Sequence, residues 1–484
     1  MPLKTEDLVF PAAAVCPEPE LLFHPDRKGD KDRHPLSGLL RFGPYSRALP
    51  GYVLDPLRIA VICPAGGIRR VKNLLAELEA RHRPKERMNY LPEFRGFSST
   101  FGIRAVLGEA DCVFELSGDL SARVQSAQSP HLVLAEEINR GINHLGGMRA
   151  RFDVLVILLS DDWSRAFKGD GQDDEFDLHD YVKGLTATRG IPSQILLESS
   201  ALAYSCRASV MWRLGIALYT KAGGLPWKLA DTLLDAAFVG VSYAVRKNAN
   251  GEPQFVTCCS QVFDSDGTGL EFLTYEVDDV RIERENPFLS RAQMRRVMAR
   301  SLVLYQQRHG GKSPKSVTVH KSTEFRLDEV DGCFDAWQAV ESLDLIQVQE
   351  DVAWRAVLLD PPKESNGRKG IPAAYPCVRG SSVQIGGREI LLWTQGNAPT
   401  AVKGRNYYKE GKGIPRPLQL TRFAGHGTWE DKCSAILGLT KMDWNNDALY
   451  DRLPVTMGFA KVLARVVKRI PNLSARPYQF RFFM

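Results

Sequence analysis

Several side chains between positions 179 and 221 could together bind a phosphate group. Lys183 lies on a predicted helix, and His179 lies four residues earlier on the same helical face. Arg189 and Gln194 follow in a turn and a strand, and Lys221 ends the next predicted long helix. Cations and amide N–H groups that meet near a helix terminus favour a dianion. The pattern therefore predicts a phosphate clamp.

A serine in the stretch GVSYA at 240–244 superficially matches a nucleophile elbow. That motif requires a strand, a sharp turn at the serine and then a helix. Here the strand pattern continues past Ser242, and NANG at 248–251 separates it from a second strand pattern, PQFVTCCSQVF. We therefore expect a β-hairpin rather than an elbow, and Ser242 is not predicted to be a hydrolase nucleophile.

The elements that would position the clamp alternate between strand and helix. LRIAVIC at 57–63 predicts a strand, which a turn and a helical spacing of apolar residues follow. FDVLVILLS at 152–160 is uniformly apolar, as parallel strands covered on both faces are. This alternation predicts a Rossmann-like α/β domain over 56–225. CPAGGIRR lacks the G-x-G-x-x-G spacing, so dinucleotide binding is not favoured.

The second half predicts a different α/β domain over 226–484. The hairpin and a third strand pattern, LEFLTYEV, precede a helix that Ser290 begins, with Gln293 completing a capping box. A strand near 316–320 follows directly. Three antiparallel strands, a helix and a strand returning beside the first are the order of the RNase H-type fold. In active members of that fold, carboxylates at the strand ends hold two divalent ions.

The bulk composition indicates a soluble globular protein. Hydrophobic residues make up 44% of the 484 positions and charged residues 25%. The nine cysteines include no C-x-x-C pair, which favours reduced thiols in a cytoplasmic protein. No stretch approaches the ~18–20 apolar residues that span a bilayer, so we expect no membrane partner. The net charge of +6 is small, but basic, aromatic-bearing segments near the C-terminal end favour nucleic acid as a partner.

Motifs across nearly the whole chain resemble those of short prokaryotic Argonautes, which are reduced to MID and PIWI domains. The motifs occur in family order: HPLSGLLRFGPYS at 34–46, LRIAVICP at 57–64, YVKGLTATRGIPSQ at 181–194, KAGGLPW at 221–227, FVGVSY at 238–243, VTVHKST at 317–323 and LPVTMGFAKVLARVV at 453–467. The resemblance implies a MID domain at 56–225 and a PIWI domain at 226–484. It also implies that residues 1–55 pack on PIWI.

The resemblance implies that the clamp holds the 5′-phosphate of a guide strand. Lys183, Gln194 and Lys221 match the family motif best. The family's base-stacking tyrosine falls at His179, unless Tyr181 takes the role. Family members can also hold a divalent ion, here Mg²⁺, between the guide phosphates, the MID glutamine and the final carboxylate. Those ligands correspond to Gln194 and Met484.

The resemblance also implies that the PIWI domain does not cut. Slicing members carry metal-binding acids where this chain has Ser242 and Ser322, and a His or Asp where it has Lys461. Hydroxyls and an ammonium group cannot replace carboxylates around Mg²⁺. Asp264 and Asp266 in FDSDG could be proposed as substitutes, but turn chemistry is the simpler interpretation.

A family member that does not cut is expected to recognise its target nucleic acid without cleaving it. The resemblance implies a guide RNA, a single-stranded DNA target and an APAZ-containing effector chain in defence against plasmids or phage. A sirtuin-like or TIR effector is favoured over a nuclease. Candidate backbone contacts are the basic residues of two C-terminal segments: Arg405, Lys409, Lys412, Arg465 and Lys468. Two alternatives remain open: a guided nuclease with unaligned carboxylates, and an α/β metabolic enzyme that binds a nucleotide.

Overall fold

The structure is a computed structural model, and it describes residues 13–169, 176–230, 235–247, 253–277, 280–283, 286–360, 370–408, 413–469 and 478–484. No helix within these ranges is long and apolar enough to cross a membrane.

The N-terminal segment consists of short elements that contact later parts of the chain. They are β1 (Ala13–Val15), β2 (Leu21–Leu22), β3 (Lys31–Asp32) and α1 (Pro35–Phe42). Strand β1 pairs antiparallel with residues 381–383, and β2 pairs with residues 228–229. Phe23 packs tightly on Gly38 of α1, where a Cβ atom would lie 2.0 Å from the ring. The segment therefore pairs with two distant parts of the chain, at 228–229 and at 381–383.

The first domain alternates strands and helices. Its elements are β4 (Leu57–Cys63), α2 (Ile68–Glu79), α3 (Phe97–Phe101), β5 (Ala105–Leu107), β6 (Val113–Glu115), α4 (Leu120–Ser126), α5 (Pro130–Gly146), β7 (Val154–Leu159), α6 (Leu178–Thr188), β8 (Ser193–Leu197), α7 (Glu198–Ala201) and α8 (Arg207–Lys221). The sheet has the order β5-β4-β7-β8, with β6 also beside β4, and every pairing is parallel. The predicted Rossmann-like fold is confirmed.

Both faces of this sheet are buried, which explains the unbroken apolar run of β7. Val154, Val156 and Leu158 contact one hydrophobic cluster, whereas Leu155 and Ile157 contact another on the opposite face. Alternate side chains of a strand point to opposite faces, so a strand covered on both sides is apolar at every position.

The second domain is built on a nine-stranded mixed sheet. Its elements, with the short β9 (Lys228–Leu229) before them, are β10 (Ala236–Lys247), β11 (Pro253–Asp264), β12 (Gly269–Val277), β13 (Val280–Glu283), β14 (Asn286–Leu289), α9 (Arg291–Arg308), β15 (Ser316–Lys321), α10 (Leu327–Ala336), β16 (Ser342–Gln349), β17 (Leu359–Asp360), β18 (Ile371–Pro372), β19 (Ser381–Gly386), β20 (Glu389–Leu392), β21 (Leu418–Ala424), α11 (Trp429–Leu439) and α12 (Val455–Arg469). The sheet order is β1-β19-β20-β21-β16-β15-β10-β11-β12.

The strand pairing confirms the RNase H-like prediction. Strands β10, β11 and β12 form an antiparallel meander, and β15 returns parallel to β10 after helix α9. Ser290 caps α9 as predicted, since its hydroxyl accepts a 3.5 Å hydrogen bond from the Gln293 amide. Strand β10 continues through Ser242 to Lys247, so the serine lies inside a strand, as predicted. The predicted NANG turn lies outside the described residues.

Helices α9 and α12 cover opposite faces of the central strands. Val239 and Val241 point into a cluster with residues of α9, whereas Gly240 and Ser242 face α12. A Cβ atom at position 240 would lie 2.0 Å from the carbonyl oxygen of Thr456. Glycine is therefore required here because α12 approaches the backbone of β10 directly.

Candidate nucleic-acid interface

The predicted clamp residues of the first domain meet the C-terminal end of the chain. Lys183, in the middle of α6, is 1% exposed. Its Nζ atom donates a 2.5 Å hydrogen bond to the carbonyl oxygen of Ser193 and another to the main-chain oxygen of Met484. Lys183 thus joins α6 to the start of β8 and to the last turn of the chain.

Lys221 supplies the second ammonium group from the end of α8. Its Nζ atom donates to Gln194 Oε1 at 2.5 Å and to Asn445 Oδ1 at 3.1 Å. Asn445 was not predicted from the sequence. Its only local signal is the polar stretch DWNND at 443–447, and nothing in that stretch points to residues of the first domain.

Both lysine side chains are buried, and their partners are the Ser193 carbonyl oxygen, an oxygen of the final residue Met484, and the amide oxygens of Gln194 and Asn445. Within the described ranges, neither Lys183 nor Lys221 has a side-chain carboxylate within 4.0 Å. Burial lowers the pKa of Lys183 well below its usual value, and the nearby Lys221 charge lowers it further. Burial also lowers the pKa of Lys221 to about 7, although the Asp443 carboxyl opposes this effect. Burial of two charged lysines lowers the stability of the free protein. A bound anion that compensated both charges would recover this loss.

The other predicted clamp residues have different surroundings. His179, at the first turn of α6, keeps about half of its side chain exposed, with Nδ1 3.4 Å from Asp180 Oδ1. Tyr181 packs against Phe176, with ring centroids 5.6 Å apart. Of the two aromatic candidates for base stacking, His179 is the one with an open ring.

Arg189 lies at the end of α6, and its side chain bonds to residues of α6 and α5. Its guanidinium donates to the Leu185 carbonyl oxygen at 3.0 Å and to Asn143 Oδ1. These contacts tie α6 to α5. The structure therefore brings together Lys183, Gln194, Lys221 and Met484, and it places Arg189 with a separate set of partners.

The predicted Mg²⁺ ligands, Gln194 and Met484, lie beside the two lysines. Gln194 Oε1 accepts a hydrogen bond from Lys221, and the Met484 oxygen accepts one from Lys183. Ammonium groups at both oxygens would repel a divalent cation, so these two residues alone do not fit Mg²⁺. An ion here needs anionic oxygens from a bound phosphate.

One group of potential metal ligands occurs among the described residues, at the start of α6. It consists of Asp177, His179 and Asp180. Asp177 already caps α6 by accepting from the Asp180 amide at 3.1 Å, and it pairs with Lys168. Asp177 therefore already has a structural role at the helix terminus, which accounts for its position without a metal ion.

The three predicted degenerate positions lie around the α12 face of the second domain. The Ser242 hydroxyl donates a 2.6 Å hydrogen bond to the carbonyl oxygen of Ala460. Ser322 follows β15 and is exposed. Lys461 of α12 forms an ion pair with Glu350, which directly follows β16. The Glu350 carboxylate near this face is therefore already neutralised by a lysine.

Asp264 and Asp266 lie at the far end of the hairpin. Asp264 pairs with Ala237 in the β10–β11 register, five residues from Ser242. At about 3.3 Å per residue this separation is roughly 17 Å. Asp264 accepts from the Ser265 amide at 2.8 Å, and Asp266 binds Lys228 at 2.6 Å. These contacts agree with turn chemistry rather than a metal site at Ser242.

The structure describes some of the residues that are predicted to contact the nucleic-acid backbone. Arg405 is exposed, and Arg465 of α12 lies 3.8 Å from Asp180 of α6. Lys409 and Lys412 lie outside the described residues, as does the side chain of Lys468.

The aromatic residue beside Arg405 is structural. Tyr407 packs edge-to-face on Tyr90 at 4.5 Å and on Tyr450 at 5.3 Å. Its ring is therefore used in packing between the two domains.

The comparisons with known proteins agree at the level of fold. No family model matches the sequence, and no curated protein matches it. A structure of Clostridium butyricum Argonaute bound to a guide DNA and a 19-mer target DNA matches with a TM-score of 0.64 and 15% identity. The match covers 98% of this chain and 55% of that one.

Two further solved structures give the same result. Aquifex aeolicus Argonaute matches with a TM-score of 0.60 and 16% identity over 98% of this chain and 57% of that one. Aa-Ago with externally bound siRNA matches with a TM-score of 0.62 and 17% identity over 97% and 56%. This chain therefore spans just over half the length of the chains it matches. Its Rossmann-like and RNase H-like domains have the fold and order of the MID and PIWI domains in Argonaute structures.

Proposed function

We propose that this protein recognises nucleic acid through a guide strand without cutting it. The observation that carries the proposal is the pair of buried ammonium groups, Lys183 and Lys221, beside the Gln194 amide. The 5′-phosphate of a guide strand has the charge and the acceptor oxygens that would compensate both cations.

The burial of the lysines supports a dianion in particular. A buried charge that is not fully compensated destabilises the free protein, and a ligand that supplies the counter-charge recovers that cost on binding. A 5′-phosphate carries between one and two negative charges near pH 7. A 5′-hydroxyl end carries none, so the clamp would distinguish the two kinds of end.

The absence of cutting is proposed from the residues of the α12 face. Ser242 and Ser322 offer hydroxyls, and Lys461 offers an ammonium group paired with Glu350. Two-metal phosphodiester cleavage needs several carboxylates that converge on the ions. The guided nuclease with other carboxylates is the alternative outcome of the experiment below.

The remaining parts of the proposal concern partners. The guide is RNA and the target is single-stranded DNA, which base pairing reads while the protein holds the backbone. Target recognition activates a separate APAZ-containing effector chain, sirtuin-like or TIR, in defence against plasmids or phage. These parts rest on the sequence resemblance and on the fold shared with Argonaute structures.

A binding and cleavage assay tests the proposal. The purified protein is given a 5′-phosphorylated guide RNA and a labelled complementary DNA, with Mg²⁺ or Mn²⁺. We expect guide-dependent retention of the target with no cleavage product. Guide-dependent cleavage would establish the nuclease alternative, and target retention that does not depend on the guide would overturn the proposal. Sequencing the strands that co-purify from cells then identifies the natural guide and target.

A further inference from the structure

A second cationic pocket lies near the clamp at the end of α8, where Ala222 lines it and its Arg481 contacts the Lys221 carbonyl oxygen. It has a volume of about 250 Å³, and its lining includes Tyr52, Arg149, Asp153, Ala222 and Arg481. Asp153 precedes β7, so the pocket lies at the end of the parallel sheet where its strands begin. None of the predicted clamp residues lines it.

The two arginines of this pocket are held by neutral oxygens. Arg149 donates to the Gly190 carbonyl at 2.9 Å and to the Phe152 carbonyl at 2.6 Å. Arg481 donates to Gln479 Oε1 at 2.7 Å and to the Lys221 carbonyl at 3.4 Å. A guanidinium group has five N–H donors, so each arginine retains donors for a ligand.

The carboxylate in the pocket is already paired. Asp153 accepts from Arg58 at 3.1 Å through Oδ1 and at 3.2 Å through Oδ2. Within the described ranges, no carboxylate lies within 4.0 Å of Arg149 or Arg481.

The two guanidinium charges also affect each other. Burial lowers the pKa of Arg481, and the nearby Arg149 charge lowers it further. Asp153 partly offsets the two charges, but it is bound by Arg58, so an anion in the pocket would relieve the remaining repulsion.

We propose that Arg149 and Arg481 form a second oxyanion site, which takes a phosphate group separate from the one in the clamp. Planar guanidinium groups can bind phosphate oxygens in pairs, which a lysine cannot do. Tyr52, with 45% of its surface exposed, forms part of the rim and would contact whatever the phosphate carries.

The position of Arg481 connects this site to the clamp. Arg481 belongs to the 3₁₀ turn at Phe480–Phe482, close before Met484, whose oxygen accepts from Lys183. Arg481 also contacts the carbonyl oxygen of Lys221 itself. An anion on Arg481 would fix this turn and, with it, the Met484 oxygen beside Lys183.

The experiment measures inorganic phosphate binding by thermal shift in a clamp-deficient protein, Lys183→Met with Lys221→Met. Phosphate stabilises many proteins non-specifically, so the same titration is run on a variant without the two arginines, which keeps that general effect. We expect a saturable rise in Tm with phosphate. Adding Arg149→Gln and Arg481→Gln should raise the apparent Kd at least about tenfold. The exposed Arg83→Gln is the matched control and should change nothing.

Two results would overturn the second site. One is a clamp-deficient protein with no saturable rise in Tm with phosphate, and the other is an equal rise after both arginines are replaced. If the combined variant does not fold, Arg481→Lys is used instead, because it keeps the charge and removes the planar guanidinium group. A smaller rise in Tm with phosphate is then expected. Repeating the titration with adenosine monophosphate identifies the source, since tighter binding than inorganic phosphate indicates a nucleotide and equal binding indicates free phosphate.

Discussion

Lys221 Nζ and Gln194 Oε1 are joined by a 2.5 Å hydrogen bond that connects the end of α8 to the start of β8. The amide oxygen is neutral, and the nearby Asp443 carboxyl only partly offsets the burial of the lysine charge. The free protein therefore holds a buried cation in place for a ligand, and several measurable consequences follow from its low pKa.

The first consequence concerns stability and pH. The pKa of Lys221 is about 7 in the folded chain, against 10.5 for an ordinary lysine. Between these values the unfolded chain binds more protons than the folded chain, so the free energy of unfolding rises with pH. Below pH 7 both states are protonated, and this contribution no longer changes with pH. Urea unfolding from pH 6 to 10 should show a slope that Lys221→Met lowers by up to about 1.4 kcal/mol per pH unit. Equal slopes in both proteins would contradict the low pKa.

Proton uptake on guide binding is the second consequence. A phosphate placed beside Lys221 favours the charged form and raises its pKa, so binding at pH 8 should take up protons. The affinity for a 5′-phosphorylated guide should accordingly fall as pH rises from 7 to 9. Calorimetry in buffers of different ionisation enthalpy measures the number of protons directly. Binding of the same guide with no net proton exchange, or with release, would mean that Lys221 does not hold the phosphate.

The approach of α12 to β10 predicts the cost of a methyl group at position 240. Gly240→Ala forces a Cβ atom against the carbonyl oxygen of Thr456, which is backbone and cannot rotate away. We expect a loss of about 2 kcal/mol or more in the free energy of unfolding. Gly458→Ala in α12 is the matched control. Apart from its chain neighbours and the backbone of its own helix, no atom of the described residues lies within 4 Å of the place its methyl group would take, so a helical alanine should stabilise by about 0.5–1 kcal/mol. Similar effects at both positions would disprove the close contact.

The end of strand β15 depends on a buried ion pair. Lys321 donates to both Glu329 oxygens, at 2.6 and 2.7 Å, and both side chains are almost fully buried. Lys321→Met leaves the carboxylate buried without its partner and should cost about 3–5 kcal/mol, measured by denaturant unfolding. Adding Glu329→Gln removes the charge and keeps an acceptor for one of the two backbone amides that now bind the carboxylate, Arg326 on Oε2 or Leu289 on Oε1. The double variant should recover at least half of the loss, and a double variant as unstable as the single one would refute the pair as the cause.

Much of the clamp could be predicted because its residues lie on nearby elements of the first domain. Lys183, Gln194 and Lys221 occur in order on α6, β8 and α8, and parallel α/β connections bring such elements together. Asn445 could not be predicted in this way, since it reaches Lys221 from 224 positions away. Pairings of that separation are set by tertiary packing, which leaves no periodic signal in a single sequence.

The aromatic candidates show a second limit of prediction from the sequence. Tyr181 and His179 are close in sequence, but the phase of α6 turns Tyr181 towards Phe176 and leaves His179 partly exposed. Tyr407 lies in a basic, polar segment, yet it packs between Tyr90 and Tyr450. The resemblance identified His179 and Tyr181, and segment composition drew attention to Tyr407, but only packing determines which of their faces are open to a ligand.

The dissociation constants of guides with 5′-phosphate and 5′-hydroxyl ends test the central claim most directly. The wild-type protein should bind the phosphorylated guide at least about 100-fold more tightly, as expected for two or more charge-assisted hydrogen bonds. Lys183→Ala with Gln194→Ala should abolish most of this difference while leaving hydroxyl-guide binding and the melting profile close to wild type. Equal affinity of the wild-type protein for both guides, or an undiminished difference in the variant, would contradict the account.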